Sequence, residues 1–90
     1  MGRRLVASGV PFDGWYAQGL AQAYLGRLPE AEGAYRMALS IRPDAFQVYN
    51  NLGVVYSLAG RKVEAEQSFR KSLAINPAYE PARQNLQRLR

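Results

Sequence analysis

GRLPEAEGAYRMALSIRP fills residues 26–43, and GRKVEAEQSFRKSLAINP fills residues 60–77. The second stretch starts 34 residues after the first and keeps its Gly-Arg, its Glu-Ala-Glu and the later Arg, Leu, Ile and Pro. Laid over itself at that lag, the chain also matches Gly19 with Gly53 and Asn51-Leu52 with Asn85-Leu86. A fixed period of this size marks an architecture of stacked repeats.

Each unit reads as two helices. In the second unit Val48, Leu52, Val55, Tyr56 and Ala59 recur at three- and four-residue spacing, the pattern of an amphipathic helix. Gly60 stops it, as the residue freest to enter the left-handed conformation. Another helix follows with Val63, Phe69, Leu73 and Ile75 as its large apolar residues, and with the small Ala65 and Ser72 letting its pair approach. Asn76-Pro77 ends it, because proline disfavours helical geometry in the residue before it. Glu64 and Glu66 near its start and Arg70 and Lys71 nearer its end suit the helix dipole.

The chain has 90 residues, one small domain's worth, with no Cys and no His. Disulfides, thiolate metal sites and the commonest general base are therefore ruled out together. No carboxylate pair, activated nucleophile or metal cluster is legible, and the expectation is a non-enzyme with no catalytic residue, no metal and no cofactor. The net charge of +5 is spread through the chain and raises a nucleic-acid reading, which ranks below the others because nothing concentrates the charge. Leu5-Val6-Ala7 is too short for a signal sequence or a membrane span, and Val6 stands where a myristoylation motif needs Ser or Thr. The expected setting is soluble and cytoplasmic, with no membrane partner.

Tyr49-x-x-Leu52-Gly53-x-x-Tyr56, then Ala65-x-x-x-Phe69, then Pro77 resembles the tetratricopeptide repeat, with Tyr in place of the usual Trp. The first unit keeps Gly26, Ala31-x-x-x-Tyr35, Ala38-Leu39 and Pro43, and a third unit begins at Glu80 with Pro81 in its first turn. The resemblance implies an all-α solenoid of antiparallel helix pairs, about two units plus a C-terminal capping helix. Its expected division is an N-terminal segment at 1–13, unit one at 14–43, unit two at 44–77 and the capping helix at 80–90.

The first helix of unit one admits two registers. In strict 34-residue register Gln18 and Gln22 fall at the positions of Leu52 and Tyr56. Slid by two residues, Leu20, Ala21 and Tyr24 fall instead on the positions of Leu52, Gly53 and Tyr56, and Pro11 takes the role of Pro43. The shortened form is favoured, since burying two unpartnered amides costs on the order of 1–3 kcal/mol each. The strict form would put Tyr16, Leu20 and Tyr24 on the open face, as an aromatic groove or a groove covered by residues 1–12. The aromatics Trp15, Tyr16, Tyr24, Tyr35, Tyr49, Tyr56 and Phe69 are read mainly as core.

The family resemblance implies that the first helix of each unit lines a concave surface binding an extended peptide or partner helix. The inward positions carried over are Gln47, Asn50, Asn51, Val54, Ser57 and Leu58 in unit two, and Gln84, Asn85 and Arg88 in unit three. Asn51 and Asn85 hold one repeat position, where an amide can offer a donor and an acceptor to a peptide backbone; a plainly solvated surface is the competing reading. Arg83, Arg88 and Arg90 are read as a solubilising face. A protein or peptide ligand is thus the expected partner, with self-assembly into a homo-oligomer as the alternative.

Overall fold

The computed structural model describes residues 11–89; residues 1–10 and Arg90 lie outside them, and with them most of the segment assigned to 1–13. The described residues form α1 (Phe12–Tyr24), α2 (Leu28–Ile41), α3 (Phe46–Leu58), α4 (Lys62–Ile75) and α5 (Glu80–Leu89), with no strand among them. The pairs α1–α2 and α3–α4 pack most closely, α2 lies against α3, and α5 covers α4. Contacts of α3 with both α1 and α5 line up the first helices of the units along one side. This is the all-α solenoid expected from the period.

Two glycines per unit set the geometry of each pair. Gly26 and Gly60 sit at φ of 77° and 78°, just past α1 and α3, where open space surrounds a would-be Cβ. They turn the chain, because a left-handed residue bearing a Cβ is strained. Gly19 and Gly53 do something else. A Cβ at Gly19 would collide with the ring of Tyr35, and one at Gly53 with the ring of Phe69. The missing side chain lets each first helix press its backbone onto the aromatic of its partner. Tyr35 and Phe69 are consequently almost wholly buried, with Ala31, Ala38, Ala65 and Ser72 allowing the close approach. The Ser72 hydroxyl donates to the Phe46 carbonyl at 2.8 Å, so its burial leaves no donor unmet. Both second helices stop one residue before proline, at the extended Arg42 and Asn76.

The equivalence of Gly19 with Gly53 settles the register of unit one: it is the strict one, and the shortened form favoured from the sequence is overturned. The physical reason lies in what each face meets. The face of α3 bearing Leu52 and Tyr56 is covered by α2, whereas no helix among the described residues precedes α1. Gln18 is exposed and Gln22 half-buried, so most of the assumed amide penalty never arises. Among the described side chains only Gln22 Oε1 is shut from solvent without a hydrogen bond. Two further expectations fail with that register or beside it. Tyr24, read as core, is 94% exposed, and Val63, read as part of the apolar face of α4, is 68% exposed.

The two units are joined by a polar clasp on one side of the α2–α3 junction. Arg36 Nη2 donates to the Tyr56 hydroxyl at 2.6 Å, and that hydroxyl donates to Glu32 Oε2 at 2.9 Å. Arg61 Nη1 reaches Glu32 Oε1 at 3.1 Å while its guanidinium lies 4.6 Å from the centre of the Tyr56 ring. Partial burial pushes the Glu32 carboxyl up, but the hydrogen bonds from Tyr56 and Arg36 and the charges of Arg36 and Arg61 outweigh it and hold the group below its ordinary value. Burial, then the bond to Glu32, pushes the Tyr56 phenol up.

Candidate functional site

The helices α1, α3 and α5 form the inner side, and their spacing repeats with the sequence. Along α3, Gln47, Asn51, Val54 and Leu58 recur at three- and four-residue steps and so share a face. Two clefts open on it. One of about 260 Å³ lies between α1 and α3, lined by Leu20, Ala23, Tyr24, Tyr35, Asn51, Val54 and Leu58. The other, about 440 Å³, lies between α3 and α5, lined by Val54, Ser57, Leu58, Gly60, Lys62, Phe69, Asn85, Arg88 and Leu89. Val54 and Leu58 line both, which makes the two clefts neighbouring parts of one groove. Tyr24 and Leu58, at 65%, project from the ends of their helices, and Leu20 is 48% exposed. Apolar groups gathered this openly are unusual on a surface with nothing to cover them.

The two asparagines that share a repeat position do the same work twice. Asn51 Nδ2 donates to the Tyr16 hydroxyl at 3.4 Å, and Asn85 Nδ2 donates to Asn50 Oδ1 at 3.0 Å. Tyr16 and Asn50 are themselves repeat equivalents, so each inner helix is tied to the one before it by an amide. Neither Asn51 nor Asn85 is a plainly solvated residue: each is half-buried. Arg88 Nη1 reaches Asn85 Oδ1 at 3.5 Å. Behind the first tie lies Tyr35, whose ring is 6.5 Å from that of Tyr16. Burial, with the neighbouring Tyr16, pushes the Tyr35 phenol up to about 12, against the lowering effect of the nearby Asn51 amide. It is a fixed, neutral wall at any ordinary pH.

The residues expected on the inner face therefore divide. Asn51, Val54, Ser57, Leu58, Asn85 and Arg88 line the clefts. Asn50 is buried beneath them and serves as acceptor for Asn85. Gln47 is half-buried and Gln84 exposed, and neither lines a cleft. The structure adds Leu20, Ala23, Tyr24, Lys62 and Leu89. Strict register announces Leu20 and Tyr24, since they fall on the positions of Val54 and Leu58. Lys62 carries no such signal, because it belongs to α4 and comes to the groove only through the tight turn at Gly60.

Among the described residues no group of three or more His, Cys, Asp or Glu could hold a metal ion. No described helix is long and apolar enough to cross a membrane. Arg83 is occupied by Glu80 at 2.8 Å and by the Pro77 carbonyl at 3.2 Å, which leaves it little freedom to form a basic patch with Arg88; Arg90 lies outside the described residues.

Among known protein families, the one described as tetratricopeptide repeat matches residues 3–80. No curated protein matches the chain.

Proposed function

The chain belongs to the tetratricopeptide repeat family, whose members generally mediate protein–protein interaction and are typically non-catalytic, and on that footing we propose that it is an adaptor holding an extended protein segment in the inner groove. The observation that carries this reading is the open, continuous groove between α1, α3 and α5, with Tyr24, Leu20 and Leu58 left uncovered by the other described residues; a cover from residues 1–10 would lie outside them. Binding there would bury apolar surface that the described residues leave exposed, at about 25 cal/mol per Å². The amide ties fix the spacing of the three helices beforehand, so less ordering is required on binding.

Site-directed photocrosslinking tests it. A photoreactive phenylalanine analogue at position 24 should trap a protein partner in lysate of the source cells. The same group at position 63, also exposed but lining neither inner cleft, should not. Equal trapping from both positions would contradict a groove-centred function. Self-assembly is the second reading, favoured by a further cleft of about 420 Å³ at the α4–α5 end that exposes parts of Leu86 and Leu89. It predicts a sedimentation coefficient rising with concentration across the micromolar range.

A further inference from the structure

We infer that the groove selects a segment pairing a large apolar side chain with a carboxylate about three residues away, an inference resting on the groove-binding reading above. The two clefts differ in chemistry. The α1–α3 cleft presents Leu20, Ala23, Tyr24, Val54 and Leu58, with Asn51 as its one amide and no charged residue among the described ones. The α3–α5 cleft keeps Val54 and Leu58 but adds the cations Lys62 and Arg88. No Asp or Glu lines either cleft. Four acids are held by arginines, Glu32 in the clasp, Glu64 by Arg61, Glu66 by Arg70 and Glu80 by Arg83, and of these Glu66 lines the neighbouring α4–α5 cleft beside Lys62.

Arg88 and Lys62 form none of the ion pairs among the described residues; Arg88 reaches only the neutral Asn85. Two unpaired cations facing a partly apolar cleft favour an anion that arrives with apolar surface attached. A guanidinium binds a carboxylate through two parallel hydrogen bonds, and the adjacent ammonium adds charge without directional demand. Neighbouring packed helices lie roughly 8–10 Å apart. A segment in the polyproline II conformation rises about 3.1 Å per residue and returns a side chain to the same face every third residue, so about three residues separate the side chain over the apolar cleft from the one over the basic cleft. The occupant is therefore an acidic–apolar segment of a partner protein laid across α3.

Selection from a random dodecapeptide display library on the immobilised full chain tests this, with Leu58→Asp as counter-selection. The enriched peptides should carry Asp or Glu about three residues from Leu, Ile, Phe or Trp. A synthetic copy should bind at least tenfold more weakly to Arg88→Glu and to Lys62→Glu, and its affinity should fall with added salt. Circular dichroism of these surface variants should match that of the parent. Enriched peptides that depend on Leu58 yet show no acidic preference, or that bind Arg88→Glu unchanged, would overturn the inference and leave the groove as the binding site. A library giving no peptide sensitive to Leu58→Asp would overturn both.

Discussion

Units one and two share a backbone plan and differ in what their first helices bury. In both, a glycine presses onto an aromatic ring, Gly19 onto Tyr35 and Gly53 onto Phe69, and in both a left-handed glycine makes the turn. On the side facing the preceding unit the likeness ends. α3 presents Leu52 and Tyr56 to α2, while α1 presents Gln18 and Gln22 at the same positions. The difference teaches that the fit of helix to helix within a pair sets the register of this repeat. The count of apolar residues on one face follows from what lies next to that face.

The largest effect should come from breaking the face that only unit two has. Leu52→Ala should cost about 2–5 kcal/mol in chemical denaturation, as a truncation at a buried site. Next come the glycines, where the units should behave alike. Gly19→Ala and Gly53→Ala should each cost about 1–3 kcal/mol, because a buried ring has no room to give. Unequal losses would mean that the two pairs do not share one packing.

The clasp sharpens the contrast in another way, through pH. Because the folded-state pKa of Glu32 lies below the ordinary value of 4.5, its contribution is fully present above that value and disappears as pH falls through the folded pKa. Tyr56→Phe removes a hydroxyl that both receives from Arg36 and donates to Glu32, and should cost about 1 kcal/mol at neutral pH. Stability measured from pH 6 downward should fall less steeply in Tyr56→Phe than in the parent. Parallel curves would show that the clasp does not hold the carboxylate. The smallest effect belongs to Gln18→Ala, at the repeat position of Leu52: its melting curve should stay within about 0.5 kcal/mol of the parent, as for any exposed site.

Much of this fold was legible. The 34-residue lag, the turn glycines and the helix-ending prolines follow from residue types with narrow backbone preferences, and each stands where the spacing puts it. Amphipathicity misleads on the register of α1, because among the described residues no preceding helix covers the face that bears Gln18 and Gln22. Gly19 was the better guide: its match with Gly53 was visible in the sequence, and its function as a seat for Tyr35 requires that match. Of the groove, Asn51, Val54, Leu58 and Asn85 could be placed by repeat position alone. That Asn50 is an internal acceptor, and that Lys62 swings beside Arg88, depends on packing between units, which periodicity does not encode.

The most direct test joins stability to binding in one variant, Tyr24→Ser combined with Leu58→Asp. Both side chains are open to solvent and both line the apolar cleft. Captured proteins quantified by mass spectrometry from nuclease-treated lysate, beside a thermal melt of the same sample, give the decisive comparison. The melting temperature should be unchanged, and the partner retained by the parent should be lost. The same partner held at the same level, or a melt lowered by many degrees, would contradict groove binding.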